Sequence, residues 1–193
     1  FISQNAKLRL EKAGAIVFKD ASTNKGGVTS SSLEVLASLA FDDSGFFRSM
    51  CVNEQGIVPQ FYNNYVQEVQ QIIQNNARLE FEALWRDHEL TGKPRSILSD
   101  ELSNAINELT EELSASNLWE DVEFRNLILT EALPQTLQKE LGLDTILTRV
   151  PTNYLKAIFG SYLAGRFIYA HGSNPGQFAF FEFMVEKRKG VQG

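Results

Sequence analysis

A single cysteine, Cys51, among 193 residues excludes an intrachain disulfide framework and any multi-cysteine zinc site. The only histidines, His88 and His171, stand far apart in sequence, which argues against a zinc site by other routes. Basic charge is short as well: 18 lysines and arginines face 24 acidic residues, for a net charge of −6. That balance argues against nucleic acid, or an anionic membrane surface, as the main partner. No apolar run reaches the roughly 18 residues of a membrane span. The dinucleotide fingerprint G-x-G-x-x-G occurs nowhere, and a P-loop fails on spacing, because Lys25 precedes Gly26 and Gly27 instead of following a second glycine. The chain also opens without methionine, at Phe1-Ile2-Ser3-Gln4, and is therefore expected to be processed or a piece of something longer. What is present is ordinary: 43% hydrophobic and 22% charged residues suit a chain that buries a core.

The first 30 residues differ in character from the rest. Asn5 to Ala13 reads as a short helix closed by Gly14. Ala15-Ile16-Val17-Phe18 is a short continuous apolar run, the pattern of a strand buried on both faces. A turn-rich stretch follows, then Gly26-Gly27 and a helix carrying Leu33, Leu36, Ala37 and Ala40. Helix, strand, glycine loop and helix together make a fragment of an α/β layer. One strand cannot form a sheet, so its neighbours are expected outside this chain, and the segment is expected to fold poorly alone.

After Asn53 the periodicity is helical throughout. From Pro59, apolar residues from Tyr62 to Leu84 recur at three- and four-residue spacing, predicting a helix of about 30 residues that ends at Gly92-Lys93-Pro94. Ser99 is the expected N-cap of the next helix, which would bury Leu102, Ile106, Leu109 and Leu113. Helices are expected from about Leu118 to Ala132, from Pro134 to Leu141, and from Pro151 through Ile168. A Phe-rich segment, Phe178 to Met184, ends on Lys187-Arg188-Lys189 and suits core or a subunit contact.

The densest chemical signal is Asn24-Lys25-Gly26-Gly27-Val28-Thr29-Ser30-Ser31-Ser32. Paired glycines let the backbone approach a ligand with no Cβ in the way. The helix start offers free N–H groups and the positive end of a dipole, which suits a carboxylate or a phosphate. Hydroxyls add donors, and the Asn24 amide can pair with another amide. The plain alternative is a glycine-softened turn with a Ser/Thr-rich cap.

Asn24-x-Gly26-Gly27-Val28-x-x-Ser31 resembles the N-x-G-G-V-x-x-S signature of the glutamate dehydrogenase family. The string from Lys19 to Ala40 looks like the large, NAD-specific branch of fungal type. The helical tail around Tyr154-Leu155-Lys156-Ala157-Ile158-Phe159 is similar to that branch's C-terminal extension. The resemblance implies an α/β fragment, the end of a Rossmann-like nucleotide-binding domain with one strand, followed by a mainly α-helical C-terminal region. It divides the chain at 1–55 (nucleotide-binding part with the glycine loop), 56–115 (long return helix and its successor) and 116–193 (helical extension). It implies oxidative deamination of L-glutamate to 2-oxoglutarate and ammonia with reduction of NAD, by an enzyme that works as a homo-oligomer in the cytoplasm, or alternatively in the mitochondrion. Ser31 would bind the side-chain carboxylate of glutamate and Val28 would pack on its methylenes. Asn24 would face the nicotinamide amide, with Gly26 and Gly27 passing close to both ligands. No catalytic residue and no metal ligand of the family maps onto this segment, so alone it is expected to be inactive.

The competing reading is a helical interaction or oligomerisation module whose glycine loop is only a turn. Cys51 is expected to be a small buried hydrophobe, and His88 and His171 surface or capping groups. Paired acidic residues such as Glu111-Glu112 and Glu120-Asp121 are expected to be solvated helix faces.

Overall fold

The computed structural model describes residues 2–23, 26–176 and 178–189. Local sequence sets most helix ends. Helix α1 (Gln4–Lys12) starts where the Ser3 hydroxyl accepts from the Ala6 N–H at 3.3 Å. Helix α2 is the short Asp20–Thr23, α3 runs Gly26–Ala40 and α4 Asp43–Met50. Helix α5 (Gln60–Thr91) continues for 32 residues because neither glycine nor proline interrupts it. It stops at Gly92, whose φ of +68° a side chain would resist, with Pro94 two residues on. Helices α6 (Arg95–Ala115), α7 (Val122–Ala132), α8 (Gln135–Leu141), α9 (Leu143–Arg149), α10 (Thr152–His171) and α11 (Ala179–Lys189) complete the described chain, with a 3₁₀ turn at Leu118–Glu120. Gly142, at φ +77°, separates α8 from α9.

The expected α/β character is overturned. Among the described residues there is no strand, and therefore no Rossmann-like sheet element; the segment is helical. Residues 15–19 run without regular structure, and Ile16 is 60% exposed. An extended segment becomes a strand only when a neighbour takes its N–H and C=O groups. Here a helix meets only part of the run: Phe18 stacks on Phe81 of α5, ring centroids 5.2 Å apart. Val17 and Phe18 are half-buried while Ala15 and Ile16 stay exposed, so the apolar run is neither a strand nor a buried segment.

The chain divides into two compact units. The first comprises residues 1–25, 76–117 and 160–193. Its core joins Ala83 and Leu84 of α5, Leu98 and Leu102 of α6, and Phe167 and Ile168 of α10. Phe180 and Phe183 of α11 meet the Phe167 ring at 5.1 and 5.4 Å. Several polar side chains here are paired across helices, although Arg86 Nη2 and Arg95 Nε are buried without a hydrogen-bond partner among the described residues. The Tyr169 phenol donates to the Glu80 carboxylate at 2.8 Å, and Arg86 donates to the carbonyls of Tyr169 and Ala170 at the end of α10. Ser99 does not cap α6 as its sequence context suggests. The helix already begins at Arg95, and Ser99 lies inside it, 3% exposed, its hydroxyl 2.6 Å from that of Ser22. The neighbouring Asp100 pairs with Lys19.

The second unit comprises residues 26–75 and 118–159. Helix α9 packs against both α3 and α8. Leu36, Ala37 and Ala40 of α3 are buried, as are Ile128, Leu129, Leu137, Ile146, Leu155 and Phe159. Arg149, at the end of α9, donates to the Ala40 carbonyl at 3.1 Å and to the Asp42 carboxylate at 3.3 Å.

Asp42 caps α4. It accepts from the Gly45 N–H at 2.7 Å and the Ser44 hydroxyl at 3.0 Å, and with Arg149 nearby these donors hold its carboxyl below its ordinary pKa. A carboxyl lowered by folding contributes stability above its unfolded pKa of about 3.9, and this is lost as pH falls through the folded value. Asp42→Asn keeps a capping side chain but cannot titrate. The stability gap between wild type and variant is expected to open above about pH 4 and to close in acid. Unfolding midpoints between pH 3 and 7 would measure it; a gap independent of pH would refute the assignment.

Candidate functional site

Gly26 and Gly27 form the first turn of α3, so the motif's glycines start a helix as their sequence context suggests. The first N–H groups of any helix lack intrahelical partners, and the dipole places about half a positive charge there. A Cβ built on Gly26 would meet no atom within 4 Å, which leaves open space in front of that backbone. Beyond the glycines, Val28 is 75% exposed and Ser31 is exposed as well. Three residues apart on one helix, they lie side by side on the same face. Leaving a valine this open has no packing benefit for the chain itself.

Ser31 is held by its own helix. Its hydroxyl lies 3.0 Å from the Gly27 carbonyl and 3.1 Å from that of Val28, while Ser30 Oγ donates to Gly27 O at 3.2 Å. These are the usual back-bonds of serine in a helix. One proton serves both Ser31 contacts, so a χ1 rotation would free it for an external acceptor at the cost of only a local bond. The structure thus brings Gly26, Gly27, Val28 and Ser31 onto one open helix start. Asn24 lies outside the described residues.

Two groups missed in the sequence reading touch this helix. The Tyr65 phenol of α5 donates to the Leu33 carbonyl at 2.7 Å, and the Tyr154 phenol of α10 donates to the Ser32 carbonyl at 2.8 Å. Burial raises the pKa of both phenols above the ordinary value, so they remain protonated donors. Both tyrosines were legible only as apolar positions of amphipathic helices. Nothing in a helical period tells where a hydroxyl at the end of a ring will land.

The remaining candidates carry no chemistry together. Cys51 is a free, half-buried thiol at the end of α4. His88 Nδ1 lies 2.7 Å from the Lys93 carbonyl beyond the end of α5, and the His171 ring packs 4.8 Å from that of Phe167. Among the described residues, no group of three or more His, Cys, Asp or Glu side chains is arranged to hold a metal.

Residues 1–92 match the family model described as Glutamate/Leucine/Phenylalanine/Valine dehydrogenase. Over 187 residues the chain is 63% identical to the NAD-specific glutamate dehydrogenase of Neurospora crassa, which covers 97% of this chain and 18% of that protein. It is 55% identical over 184 residues to glutamate dehydrogenase 2 of Dictyostelium discoideum, covering 95% of the chain and 18% of the relative. The probable NAD-specific glutamate dehydrogenase of Schizosaccharomyces pombe is 53% identical over 190 residues, or 98% of the chain and 17% of the relative. The chain therefore spans less than a fifth of the length of these relatives. No solved structure matches it. The chain is similar along almost its whole length to one segment of NAD-specific glutamate dehydrogenases, and its residues 1–92 match the Glutamate/Leucine/Phenylalanine/Valine dehydrogenase model.

Proposed function

We propose that this chain is part of an NAD-dependent glutamate dehydrogenase, which oxidatively deaminates L-glutamate to 2-oxoglutarate and ammonia, and that α3 supplies one wall of its substrate pocket. The observation that carries this reading is the open face at the start of α3, where an exposed valine and an exposed serine lie just beyond a glycine with open space at its Cβ position. That combination suits the two ends of a glutamate side chain. The Val28 isopropyl group offers apolar contact to the methylenes. The rotated Ser31 hydroxyl, with the helix dipole behind it, offers a donor to the terminal carboxylate.

When bound, NAD supplies the acceptor for the hydride removed from the substrate. The bare backbone at Gly26 fits the close approach of such a planar cofactor, because nothing stands within 4 Å of where a side chain would project. Gly26, Gly27 and Asn24 are the residues we assign to it. The part played by this chain is positioning: it holds the γ-carboxylate so that the reacting carbon is presented in one orientation. Proton transfer is not assigned to any residue here.

Replacing Ser31 with alanine in the intact enzyme is expected to raise KM for glutamate about ten- to a hundredfold, the effect of losing a hydrogen bond to a charged group. KM for NAD and the thermal midpoint are expected to stay near wild type, since Ser31 is exposed and bonds only its own helix. Unchanged kinetics with glutamate would overturn the assignment.

A further inference from the structure

We propose that Tyr65 and Tyr154 are positioning residues for Ser31, setting the angle at which the start of α3 presents it to substrate. This rests on the reading of Ser31 given above and extends it to two side chains from α5 and α10, the second in a stretch with no chemistry of its own. The observation is a pair of hydrogen bonds to consecutive carbonyls. Tyr154 donates to Ser32 O at 2.8 Å and Tyr65 donates to Leu33 O at 2.7 Å, the two residues immediately after Ser31.

Both carbonyls lie within the helix, where the i+4 N–H already uses one lone pair of each. The phenols use the second. A helix interior needs no such donors to form, so their effect is on where α3 lies and not on whether it exists. The distribution of burial along α3 says why this matters. Val28, Ser30, Ser31 and Ser32 are exposed, and full burial starts only at Leu36 and Ala37. The first two turns thus have little packing to fix them, and the phenols are tethers placed between the open motif and the buried half of the helix. Tyr65 is itself fixed: it is 3% exposed and its ring stacks on Phe61 with centroids 5.5 Å apart. A rigid phenol from α5 and a second from α10 hold the helix from two elements, which restrains rotation as well as translation.

Substrate orientation is sensitive to small displacements, so loosening this clamp should weaken glutamate binding without touching the residue that contacts it. Tyr65→Phe and Tyr154→Phe remove only the hydroxyls. In the intact enzyme each is expected to raise KM for glutamate about fivefold, leaving KM for NAD near wild type. Tyr154 is the less buried of the two, so Tyr154→Phe remains informative if the Tyr65 variant folds poorly.

The decisive measurement is the cycle with Ser31→Ala. If the phenol acts through Ser31, adding Tyr154→Phe to Ser31→Ala leaves KM for glutamate where Ser31→Ala alone put it. A merely structural effect would multiply the two losses, and that result would overturn the proposal, as would wild-type KM in both phenylalanine variants. If Ser31→Ala raises KM while the phenylalanine variants do not, the clamp fails and the Ser31 reading stands. If Ser31→Ala is itself silent, both fall.

Discussion

Phe159→Ala is expected to destabilise the unit formed by residues 26–75 and 118–159 by about 3–5 kcal/mol, the range for deleting a fully packed aromatic ring. Phe159 is 2% exposed at the end of that unit's share of α10. Its ring meets two others edge to face: Trp119 at 5.7 Å and 89°, and Phe124 at 6.0 Å and 89°. Each such pair adds about 0.5–1.5 kcal/mol beyond area burial. Trp119 is in turn covered by cations, the Arg125 guanidinium 5.1 Å and the Lys156 ammonium 5.8 Å from its ring centroid. Removing Phe159 therefore leaves a cavity beside two aromatic rings that have lost their edge contact. Against a total stability of about 5–15 kcal/mol for a typical domain, the loss is large. Denaturant unfolding of the protein and of the variant would measure it. Phe159→Leu, which restores most of the volume, is expected to recover more than half. A loss below about 1 kcal/mol for the alanine variant would mean that the ring cluster is not the centre of this core.

Glu11→Ala is expected to cost the other unit about 2–3 kcal/mol, more than an ordinary surface carboxylate contributes, because this side chain caps a helix 84 residues away. Pro94 occupies the N-cap position of α6 and makes no side-chain capping bond. Glu11 of α1 supplies what is missing: Oε1 accepts from the N–H groups of Arg95 at 2.7 Å and Ser96 at 3.3 Å, and Oε2 accepts from the Ser96 hydroxyl at 2.6 Å. Ser96 is 0% exposed, so water does not replace that partner. Truncation would leave buried donors unsatisfied and would remove a negative charge from the positive end of a 21-residue helix. Glu11→Gln keeps an acceptor for the backbone donors and is expected to cost about 1 kcal/mol. Hydrogen exchange of the first amides of α6, followed with the unfolding midpoint, would report the effect locally and globally. Unaltered protection in Glu11→Ala would show that α6 needs no cap from α1.

Both predictions concern contacts that no local pattern announces, and they mark where reading by sequence alone stops. Helix content was legible because it is written in short range. The three- and four-residue spacing from Tyr62 to Leu84 names one face of α5, and Gly92 with Pro94 ends it. Gly142 likewise ends α8. The glycine motif was legible for the same reason: Gly26, Gly27, Val28 and Ser31 are near neighbours in sequence, and a helix start brings them together by its own geometry. The strand expected at Ala15–Phe18 failed because strand formation is a property of two segments. Phe18 met the ring of Phe81 where a sheet neighbour was expected. Ser99 misled for a related reason. Its sequence context is that of an N-cap, but a carboxylate distant in sequence had already capped the helix a turn earlier, leaving Ser99 to pair with Ser22 in the interior.

The sequence by itself determined the longer helices, several of their ends, and the residues that meet at the start of α3, since each depends on interactions across four or fewer positions; the short α2, α4 and α9 were not legible in it. The tertiary structure decided that no strand forms among the described residues, that Glu11 caps α6, and that two phenols seize the carbonyls beyond Ser31. These depend on where side chains from elements 32 to 122 residues apart come to lie, which the spacing of apolar residues along one helix does not encode.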